Sequence, residues 1–319
     1  MRNITDKYFS VLVFTAIFSL TALQADEKPA AASLPQLLDA FGWSFDNTEV
    51  STQKIDDNLY VLFGVGGNLA ISIGEQGVLM VDDQFPEMLP KIEAAVKELG
   101  GEGIDFVVNT HWHFDHAEGN LGLGPKGVWL VSQANSRSMM MDPHNVNLVG
   151  INYDQQAYPD LALPVITYND RMQFHFNGQQ IDLMHFGPAH TTGDSAVIFR
   201  GSNAVHLGDV FNNSGYPFID ADNGGEVDGI VNFCQAVLDS INEGTVVIPG
   251  HGPVSDYQGL KDYIVMISQA RDNIVNLIEE GATLEQVIAA KPTAKWDDKQ
   301  GDPIMFINRA YTSLKKNEQ

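Results

Sequence analysis

Residues 109–116 read NTHWHFDH and concentrate four metal-binding side chains in one short stretch. These side chains are His111, His113, Asp115 and His116. Histidine nitrogens and carboxylate oxygens bind zinc, and a catalytic zinc keeps one position open for water. An apolar run at residues 104–108 comes directly before the stretch and predicts a buried strand. The sequence therefore predicts a metal site where a strand ends, which is where α/β sheets build their sites.

The spacing within this stretch separates the four side chains into two pairs. His111 and His113 are two residues apart, and an extended backbone points both side chains to the same side. Asp115 and His116 follow after a turn of the chain, from where they can address a second metal a short distance away. The pattern thus indicates a site for two metal ions.

Composition sets limits on the class of protein. The chain has 319 residues, of which 44% are hydrophobic, so it is long enough to bury a sizeable core. Its formal net charge of −23 repels phosphate backbones, which argues against nucleic acid as a partner. The single cysteine, Cys234, excludes an internal disulfide. Because Cys234 lies in a run with helical periodicity, we interpret it as a small core side chain.

The N-terminus resembles a secretory leader. Arg2 and Lys7 precede an apolar run at residues 8–23, and Ala25 ends the segment before the polar residues begin. This order predicts a signal peptide, residues 1–25, cleaved after Ala25. The run is short for a membrane span, although an uncleaved anchor is the alternative. We therefore expect an exported protein, periplasmic or secreted, without stable membrane insertion after cleavage.

The rest of the chain divides into a linker at residues 26–50, with a short helix at 34–41, and one domain at 51–319. In the first half of the domain, apolar runs and turn residues predict strands at 59–63, 68–73, 77–81, 104–108 and 128–131, and helices at 86–99 and 133–141. The second half predicts strands at 173–176, 181–186, 195–199, 204–207 and 245–249, and helices at 227–241, 256–280, 284–290 and 304–314. Residues 142–164 contain three prolines and predict an irregular loop that carries function.

Four more candidate metal-site residues follow predicted strands in the same way. They are Asp82, His190, Asp209 and His251. Glycines close to each of them allow tight loops and a close approach of the backbone. Each of these loops taken alone is weak evidence, because a Gly-Asp or Pro-Gly-His-Gly sequence is often only a turn.

Taken together, His111-x-His113-x-Asp115-His116 and the four other residues resemble the motifs of the metallo-β-lactamase superfamily. The motifs occur in the expected order from residue 59 to residue 251. The resemblance implies an α/β fold, an αββα sandwich of two mixed β-sheets flanked by helices. It also implies two Zn²⁺ ions in a groove at the sheet edges, with residues 51–319 forming one hydrolase domain that has a helical C-terminal tail.

The resemblance also implies a role for each matched residue. His111, His113 and His190 would bind the first zinc, and Asp115, His116 and His251 the second. Asp209 would bridge the two ions, and Asp82 would orient the ligands from behind. The other histidines, His144, His175, His185 and His206, match no ligand position, and we interpret them as structural.

The implied reaction is hydrolysis of an acyl bond in a small-molecule substrate. Two metals about 3.5–4 Å apart hold a bridging hydroxide, formed near neutral pH, that attacks a carbonyl carbon. Asp115 is the candidate catalytic residue, which orients this hydroxide and takes its proton. The acyl bond would belong to a β-lactam, another amide, a lactone, an ester or a thioester.

Two departures from the zinc β-lactamases leave the substrate open. The commonest class has a cysteine where this chain has Asp209, and a lysine at the position of Asn212. Residues 210–220 contain no lysine or arginine, so Asn213, Tyr216 or backbone N–H groups would have to hold a substrate carboxylate. β-Lactamase activity is therefore compatible with the motifs without being required by them.

Two other functions stay open on the same fold. One is an iron-dependent oxygenase or redox protein, because imidazole and carboxylate ligands suit iron as well as zinc. The other is a non-catalytic member that only binds metal. The complete ligand set argues against the non-catalytic member, and the reducing requirement of iron chemistry fits an exported chain poorly.

Overall fold

A computed structural model describes residues 30–316 of the chain. The predicted signal peptide, residues 1–25, lies outside the described residues. Two β-sheets pack face to face, and helices cover the outer face of each sheet. This arrangement is the predicted αββα sandwich. Along residues 30–316, no helix is both long and apolar enough to cross a membrane.

The elements follow one another from a short N-terminal helix to a helical C-terminus. The strands are β1 (Ser51–Lys54), β2 (Leu59–Phe63), β3 (Leu69–Gly74), β4 (Gly77–Val81), β5 (Phe106–Asn109), β6 (Trp129–Gln133), β7 (His144–Asn147), β8 (Asn152–Gln155), β9 (Ile166–Tyr168), β10 (Arg171–Phe176), β11 (Gln179–Met184), β12 (Ala196–Phe199), β13 (Ala204–His206), β14 (Val246–Ile248) and β15 (Ser255–Asp256). The α-helices are α1 (Leu34–Phe41), α2 (Leu89–Glu98), α3 (Phe114–Ala117), α4 (Asn120–Leu123), α5 (Ala134–Met140), α6 (Val227–Ser240), α7 (Tyr257–Glu279), α8 (Leu284–Ala290), α9 (Asp297–Gln300) and α10 (Ile304–Lys316).

Both sheets are mixed. The first has seven strands in the order β1-β2-β3-β4-β5-β6-β9, antiparallel up to β4 and parallel from β4 to β9. The second has six strands in the order β10 to β15, and only β13 and β14 pair in parallel. Strands β4 and β5 consist mainly of Val, Leu, Met and Phe, as expected of parallel strands covered on both faces.

Apolar side chains form three layers. Between the sheets, Val81 and Val108 of the first sheet share a cluster with Leu183 of the second. Outside the first sheet, Ile92 of α2 belongs to a separate cluster, and outside the second, Phe233 of α6 belongs to a third. Burying a side chain of this size contributes about 1.5–3 kcal/mol to stability. The layers therefore fix how the sheets lie against each other and where their edges meet.

The topology brings separate loops to one edge of the sandwich. Strands β4 and β5 run parallel, so the segments that follow them, at Asp82 and at residues 110–116, leave the first sheet at the same edge. Strands β13 and β14 do the same in the second sheet and are followed by Asp209 and His251. The edge where these loops meet is where the candidate ligands lie.

The structure corrects the prediction that residues 142–164 form an irregular loop. Strands β7 and β8 form a hairpin there, paired from His144 with Gln155 to Asn147 with Asn152. The Asn145 amide donates to Asp154 across the hairpin at 2.7 Å, and Val146 is buried. The polar side chains hide the apolar alternation by which a strand is recognised. For the same reason β1, whose four residues are all exposed, has no predicted counterpart.

The N-terminal residues pack against the first sheet's side of the sandwich. Helix α1 lies where the sequence predicts it, begins with a capping box between Ser33 and Gln36, and buries Leu37. Trp43 then packs edge-on against Phe85, with 6.1 Å between ring centroids. In residues 30–50 the chain is therefore held on the domain and contributes an aromatic side chain close to the candidate site.

Candidate metal centre

Asp82 fixes the end of strand β5. Its backbone φ is +60°, in the left-handed region, and its side chain is fully buried. The carboxylate accepts from the Thr110 backbone N–H at 2.6 Å and from the Thr110 hydroxyl at 2.8 Å. It also contacts Nδ1 of His116 at 2.7 Å. Asp82 thus contacts both the loop that carries the candidate ligands and one of their imidazoles, from where it could orient them.

The first group of facing ligand atoms, which we call the histidine site, consists of three imidazoles. These are His111, His113 and His190, whose ligand atoms lie within 4.8 Å of one another. The second nitrogen of each ring is occupied: Nδ1 of His111 contacts the Thr110 hydroxyl at 3.0 Å, Nε2 of His113 contacts Asp220 at 2.9 Å, and Nδ1 of His190 donates to the Phe218 carbonyl at 2.8 Å. The free nitrogens therefore face one another.

The second group, which we call the mixed site, consists of Asp115, His116 and His251. Nε2 of His251 lies 3.2 Å from a carboxylate oxygen of Asp115 and 3.2 Å from Nε2 of His116. Asp115 and His116 belong to the short helix α3, which begins directly after His113. This turn of helix redirects the chain, so the two pairs of ligands point into different groups, as the spacing predicts.

Asp209 lies between the two sites. Its Oδ1 is 3.1 Å from Nε2 of His116 and 3.4 Å from Nε2 of His251, whereas its Oδ2 is 3.7 Å from Nε2 of His190. A side chain at Gly250 would collide with this carboxylate, which explains why glycine precedes His251. Each oxygen of Asp209 therefore faces a different site.

The residues fit a bound metal. Nε2 of His111 is buried and, within residues 30–316, has no hydrogen-bond partner, an arrangement that is costly unless a ligand occupies the position. Nε2 of His190 lies 2.8 Å from Nδ1 of His113, so two nitrogens approach each other where a cation would stand. Imidazole and carboxylate donors suit a divalent cation such as zinc or iron.

The pKa values separate the two sites. Burial, together with neighbouring imidazoles, lowers the pKa of His111 well below its usual range and lowers that of His190. At the mixed site, burial is outweighed by the carboxylates of Asp209 and Asp115, which raise the pKa of His251 to about 10 and that of His116 well above its usual range. Without metal, therefore, His116 and His251 of the mixed site are protonated at neutral pH, whereas His111 and His190 are not.

A residue absent from the sequence prediction completes the histidine site. Asp220 is fully buried, contacts His113, and accepts from the Asn223 amide at 3.0 and 2.9 Å. It lies 107 positions from His113, so no local spacing connects the two. The sequence feature that could have indicated Asp220 is its position directly after the apolar pair Phe218 and Ile219. An acidic residue there is expected to be buried, and a buried carboxylate needs a partner.

A cavity of about 470 Å³ opens in front of the mixed site. It is lined by Asp115, Asp209 and His251, and also by Tyr216. Tyr216 is one of the two predicted substrate contacts. Its hydroxyl donates to Asp297 at 2.8 Å, so its ring is more available to a substrate than its hydroxyl. The other predicted contact, Asn213, donates its amide to the Pro253 carbonyl at 2.8 Å, outside the residues that line the cavity.

The histidines interpreted as structural lie outside both sites. Among the described residues, neither group of ligand atoms includes His144, His175, His185 or His206. His206 is buried and bonds through Nε2 to the Asn68 carbonyl at 2.9 Å, which ties the two sheets together.

Residues 71–261, more than half of the chain, match the metallo-beta-lactamase superfamily. The chain therefore belongs to this superfamily, as its motifs predict. Its structure is similar to a metallo-beta-lactamase from Pontibacter korlensis, with 17% identity, a TM-score of 0.56, and coverage of 69% of this chain and 99% of that one.

A second similar structure belongs to a protein of another activity. It is the stereoselective inverting sec-alkylsulfatase Pisa1 from Pseudomonas sp., with 15% identity, a TM-score of 0.63, and coverage of 82% of this chain and 50% of that one. At such identities the likeness concerns the fold alone, and it confirms the αββα sandwich.

One curated protein matches over a short segment. The coenzyme F420H(2) oxidase of Methanothermobacter marburgensis is 29% identical over 62 residues, which are 18% of this chain and 15% of the oxidase. The match spans less than a fifth of that protein's length. The superfamily thus includes relatives described as hydrolases and as oxidases, and it defines a fold with a metal site.

Proposed function

We propose that the chain is a hydrolase that uses two zinc ions to cleave an acyl bond in a small molecule. The bond would belong to a β-lactam, another amide, a lactone, an ester or a thioester. One observation carries the proposal: the two oxygens of Asp209 face different groups of ligand atoms, Oδ1 towards His116 and Oδ2 towards His190. A carboxylate in this position suits two metal ions that share one ligand.

The histidine site would hold one ion and the mixed site the other. When bound, zinc lowers the pKa of a water to about 7 and polarises the bond to be cleaved. The chain's own contribution is to hold the imidazoles in fixed orientations through Thr110, Asp220, Asp82 and the Phe218 carbonyl. Such supporting contacts typically change metal affinity or activity by about 10–100-fold.

Asp115 is the residue that we assign to proton transfer. Its carboxylate lines the cavity and lies 3.2 Å from Nε2 of His251. Burial opposes ionisation, but the neighbouring His116 and His251 lower the pKa of Asp115, so it is ionised at neutral pH. In this position it can orient a water for attack on a carbonyl carbon and accept the proton that the water loses.

A cysteine nucleophile does not compete with this assignment. Cys234 is fully buried in the apolar cluster beneath α6 and α7, and burial raises the pKa of its thiol above the usual value. A buried, protonated thiol is unreactive.

A redox reaction at iron is the second candidate function. The short match to an oxidase favours it, and the nitrogen and oxygen donors suit iron as well as zinc. Metal analysis of protein purified without added metal separates the two candidates. Two equivalents of zinc support the hydrolase, whereas two of iron, with a visible absorption band that changes on reduction, support the redox protein.

The test of the hydrolase is a panel of chromogenic lactams, lactones, esters and thioesters, assayed with and without a chelator. We expect at least one class to be cleaved, the activity to disappear with the chelator, and zinc to restore it. Zinc-loaded protein that cleaves no member of the panel would contradict the proposal. The mutation His175→Ala, at an exposed histidine outside both sites, is the control for non-specific effects.

We also propose that the protein acts outside the cytoplasm after removal of residues 1–25. The support is the sequence alone, with its basic start, apolar run and Ala25 before the polar residues. N-terminal sequencing of the protein from a periplasmic or culture fraction should begin at Asp26. A full-length protein found only in the membrane fraction would favour the uncleaved anchor.

A further inference from the structure

The cavity in front of the mixed site has an aromatic wall contributed by the N-terminal segment. Phe41 and Trp43 stack on each other with ring centroids 4.8 Å apart. Trp43 in turn lies nearly parallel to the imidazole of His251, with centroids 6.4 Å apart and planes 17° apart. Phe41 is 43% exposed at the rim, although large apolar side chains are usually covered. This wall therefore offers a flat apolar surface beside the metal site.

A second part of the lining comes from the C-terminal part of the chain and carries a negative charge. It contains Gln300, Asp302 and Met305. Asp302 also accepts from the backbone N–H of Ile304 at 2.9 Å, at the start of α10. The carboxylate of Asp302 therefore already occupies one N–H at this helix start and places a negative charge there.

Lysine and arginine are absent from the cavity walls. None of the described residues that line the cavity is a lysine or an arginine. Three basic side chains from other parts of the chain have partners elsewhere: Lys126 pairs with Glu93, Arg137 donates to the Pro164 carbonyl, and Arg200 pairs with Asp182. The cavity thus lacks the cation that a carboxylate or sulfate group on a substrate would need beyond the metal site.

We infer that the substrate is an acyl compound without an anionic group, with an apolar body that packs against Phe41 and Trp43. The inference rests on the proposed function and narrows it to uncharged and cationic substrates. An anionic group in this cavity would lose hydration without gaining an ionic partner. A cationic group would instead meet the faces of Trp43 and Phe41 and the carboxylate of Asp302.

The first experiment compares three para-nitrophenyl esters of similar length with the zinc-loaded protein. The acyl groups are pentanoate, glutarate with one free carboxylate, and a trimethylammonium analogue. We expect kcat/KM for the uncharged ester to exceed that for the glutarate ester by about tenfold or more, and the cationic ester to match or exceed the uncharged one. A glutarate ester cleaved as efficiently as the uncharged ester would overturn the inference.

The second experiment separates local charge from the large net charge of −23. Asp302→Asn removes the charge from the cavity and keeps a residue that caps helices equally well. Asp262→Asn, on the exposed face of α7, changes the net charge identically away from the cavity. We expect Asp302→Asn to reduce the ratio of cationic to anionic kcat/KM by about threefold to fivefold. Equal ratios in the two variants would contradict a role for Asp302.

The aromatic wall has its own pair of variants. Phe41→Ala shortens the wall without touching a ligand, and Trp129→Ala removes another exposed aromatic, 54% exposed on β6 outside the cavity. We expect Phe41→Ala to raise KM for the uncharged ester severalfold with little change in kcat, and Trp129→Ala to change neither. An unchanged KM in Phe41→Ala would argue against this packing.

A binding measurement keeps the inference separate from the proposed function. The protein is titrated with benzyltrimethylammonium or with phenylmethanesulfonate, and the quenching of its tryptophan fluorescence is measured. The variant Trp43→Phe identifies the part of the signal that comes from the aromatic wall. If no ester is cleaved although two metals are bound, the proposed hydrolysis fails. Tighter binding of the ammonium ion then still supports the charge selectivity, and equal or tighter binding of the sulfonate refutes it.

Discussion

The histidine site and the mixed site are built by different means. The three imidazoles of the histidine site are buried, and each is held through its second nitrogen by a separate residue. The mixed site contains a carboxylate, and the side chain of His251 is 20% exposed towards the cavity. The histidine site is thus held by its neighbouring residues before metal binds, whereas the mixed site depends on charged groups and opens towards the cavity.

Because of this difference, we assign structural support to the histidine site and the chemical reaction to the mixed site. A preorganised group of imidazoles binds a cation with little reorganisation. The mixed site places Asp115 and His251 at the cavity, where a water and a substrate have to meet. We therefore expect a substitution of Asp209, which lies between the two sites, to have the largest effect on turnover. A substitution of Asp220, which holds His113 of the histidine site, should have a smaller effect.

The largest effect is expected for Asp209→Asn, which keeps the shape of the side chain between the two sites but removes its charge. An amide oxygen is a poor bridge between two cations, so turnover should fall by more than the 10–100-fold typical of supporting residues. The second zinc should bind more weakly, while the melting temperature changes little because Asp209 lies in a loop. Near-normal turnover with two zinc ions retained would mean that Asp209 only forms a turn.

The next effect is expected for His251→Ala, which removes a ligand from the mixed site alone. The variant should keep close to one zinc, lose most of its activity, and retain its circular dichroism spectrum, because β14 and α7 bury their own apolar side chains. His175→Ala serves as the matched control. Global unfolding of His251→Ala, or retention of both metals, would break the distinction between the two sites.

A smaller effect is expected for Asp220→Asn, which disturbs the support of the histidine site. The imidazole of His113 would lose a carboxylate partner, so zinc affinity at this site should fall by about 10–100-fold. Asp239→Asn, at an exposed position on α6, is the control. Competition with a fluorescent chelator measures the zinc affinity of both variants. Equal affinities in Asp220→Asn and in the control would show that Asp220 does not support the histidine site.

The smallest effect is in the pH dependence of metal binding. With a pKa of about 10, His251 is protonated at pH 7, and the raised pKa of His116 protonates it as well, so metal at the mixed site must displace protons. Affinity there should rise with pH between 6 and 9. At the histidine site the lowered pKa values of His111 and His190 leave no such protons. Calorimetry in two buffers should give about one to two protons released for the mixed site and fewer for the histidine site.

The two sites also differ in how much of them the sequence predicts. All seven candidate ligand positions lie in the turn beyond β5 or in loops that follow other strands, so local spacing and the family's motifs are sufficient to find them. The order of strands and helices was predictable wherever apolar periodicity was strong. Asp220 was not, because its contact with His113 joins distant parts of the chain.

The cavity walls were the least predictable part of the molecule. The role of Trp43 depends on how residues 30–50 pack over Phe85, which is a tertiary contact without a local pattern. Strands β7 and β8 were missed because their pairing rests on polar side chains such as Asn145 and Asp154. The nitrogen that each histidine presents also depends on partners elsewhere in the chain, such as the Phe218 carbonyl for His190.

The most direct test is the number of metal ions bound by the purified protein at defined occupancy. Zinc is removed with a chelator and added back in steps, and bound metal is measured by mass spectrometry alongside turnover. The structure leads us to expect two equivalents, the first with little proton release and little activity, and the second with more proton release and the main rise in turnover. Full activity at one equivalent, with no second ion bound at saturation, would contradict a centre in which Asp209 joins two metals.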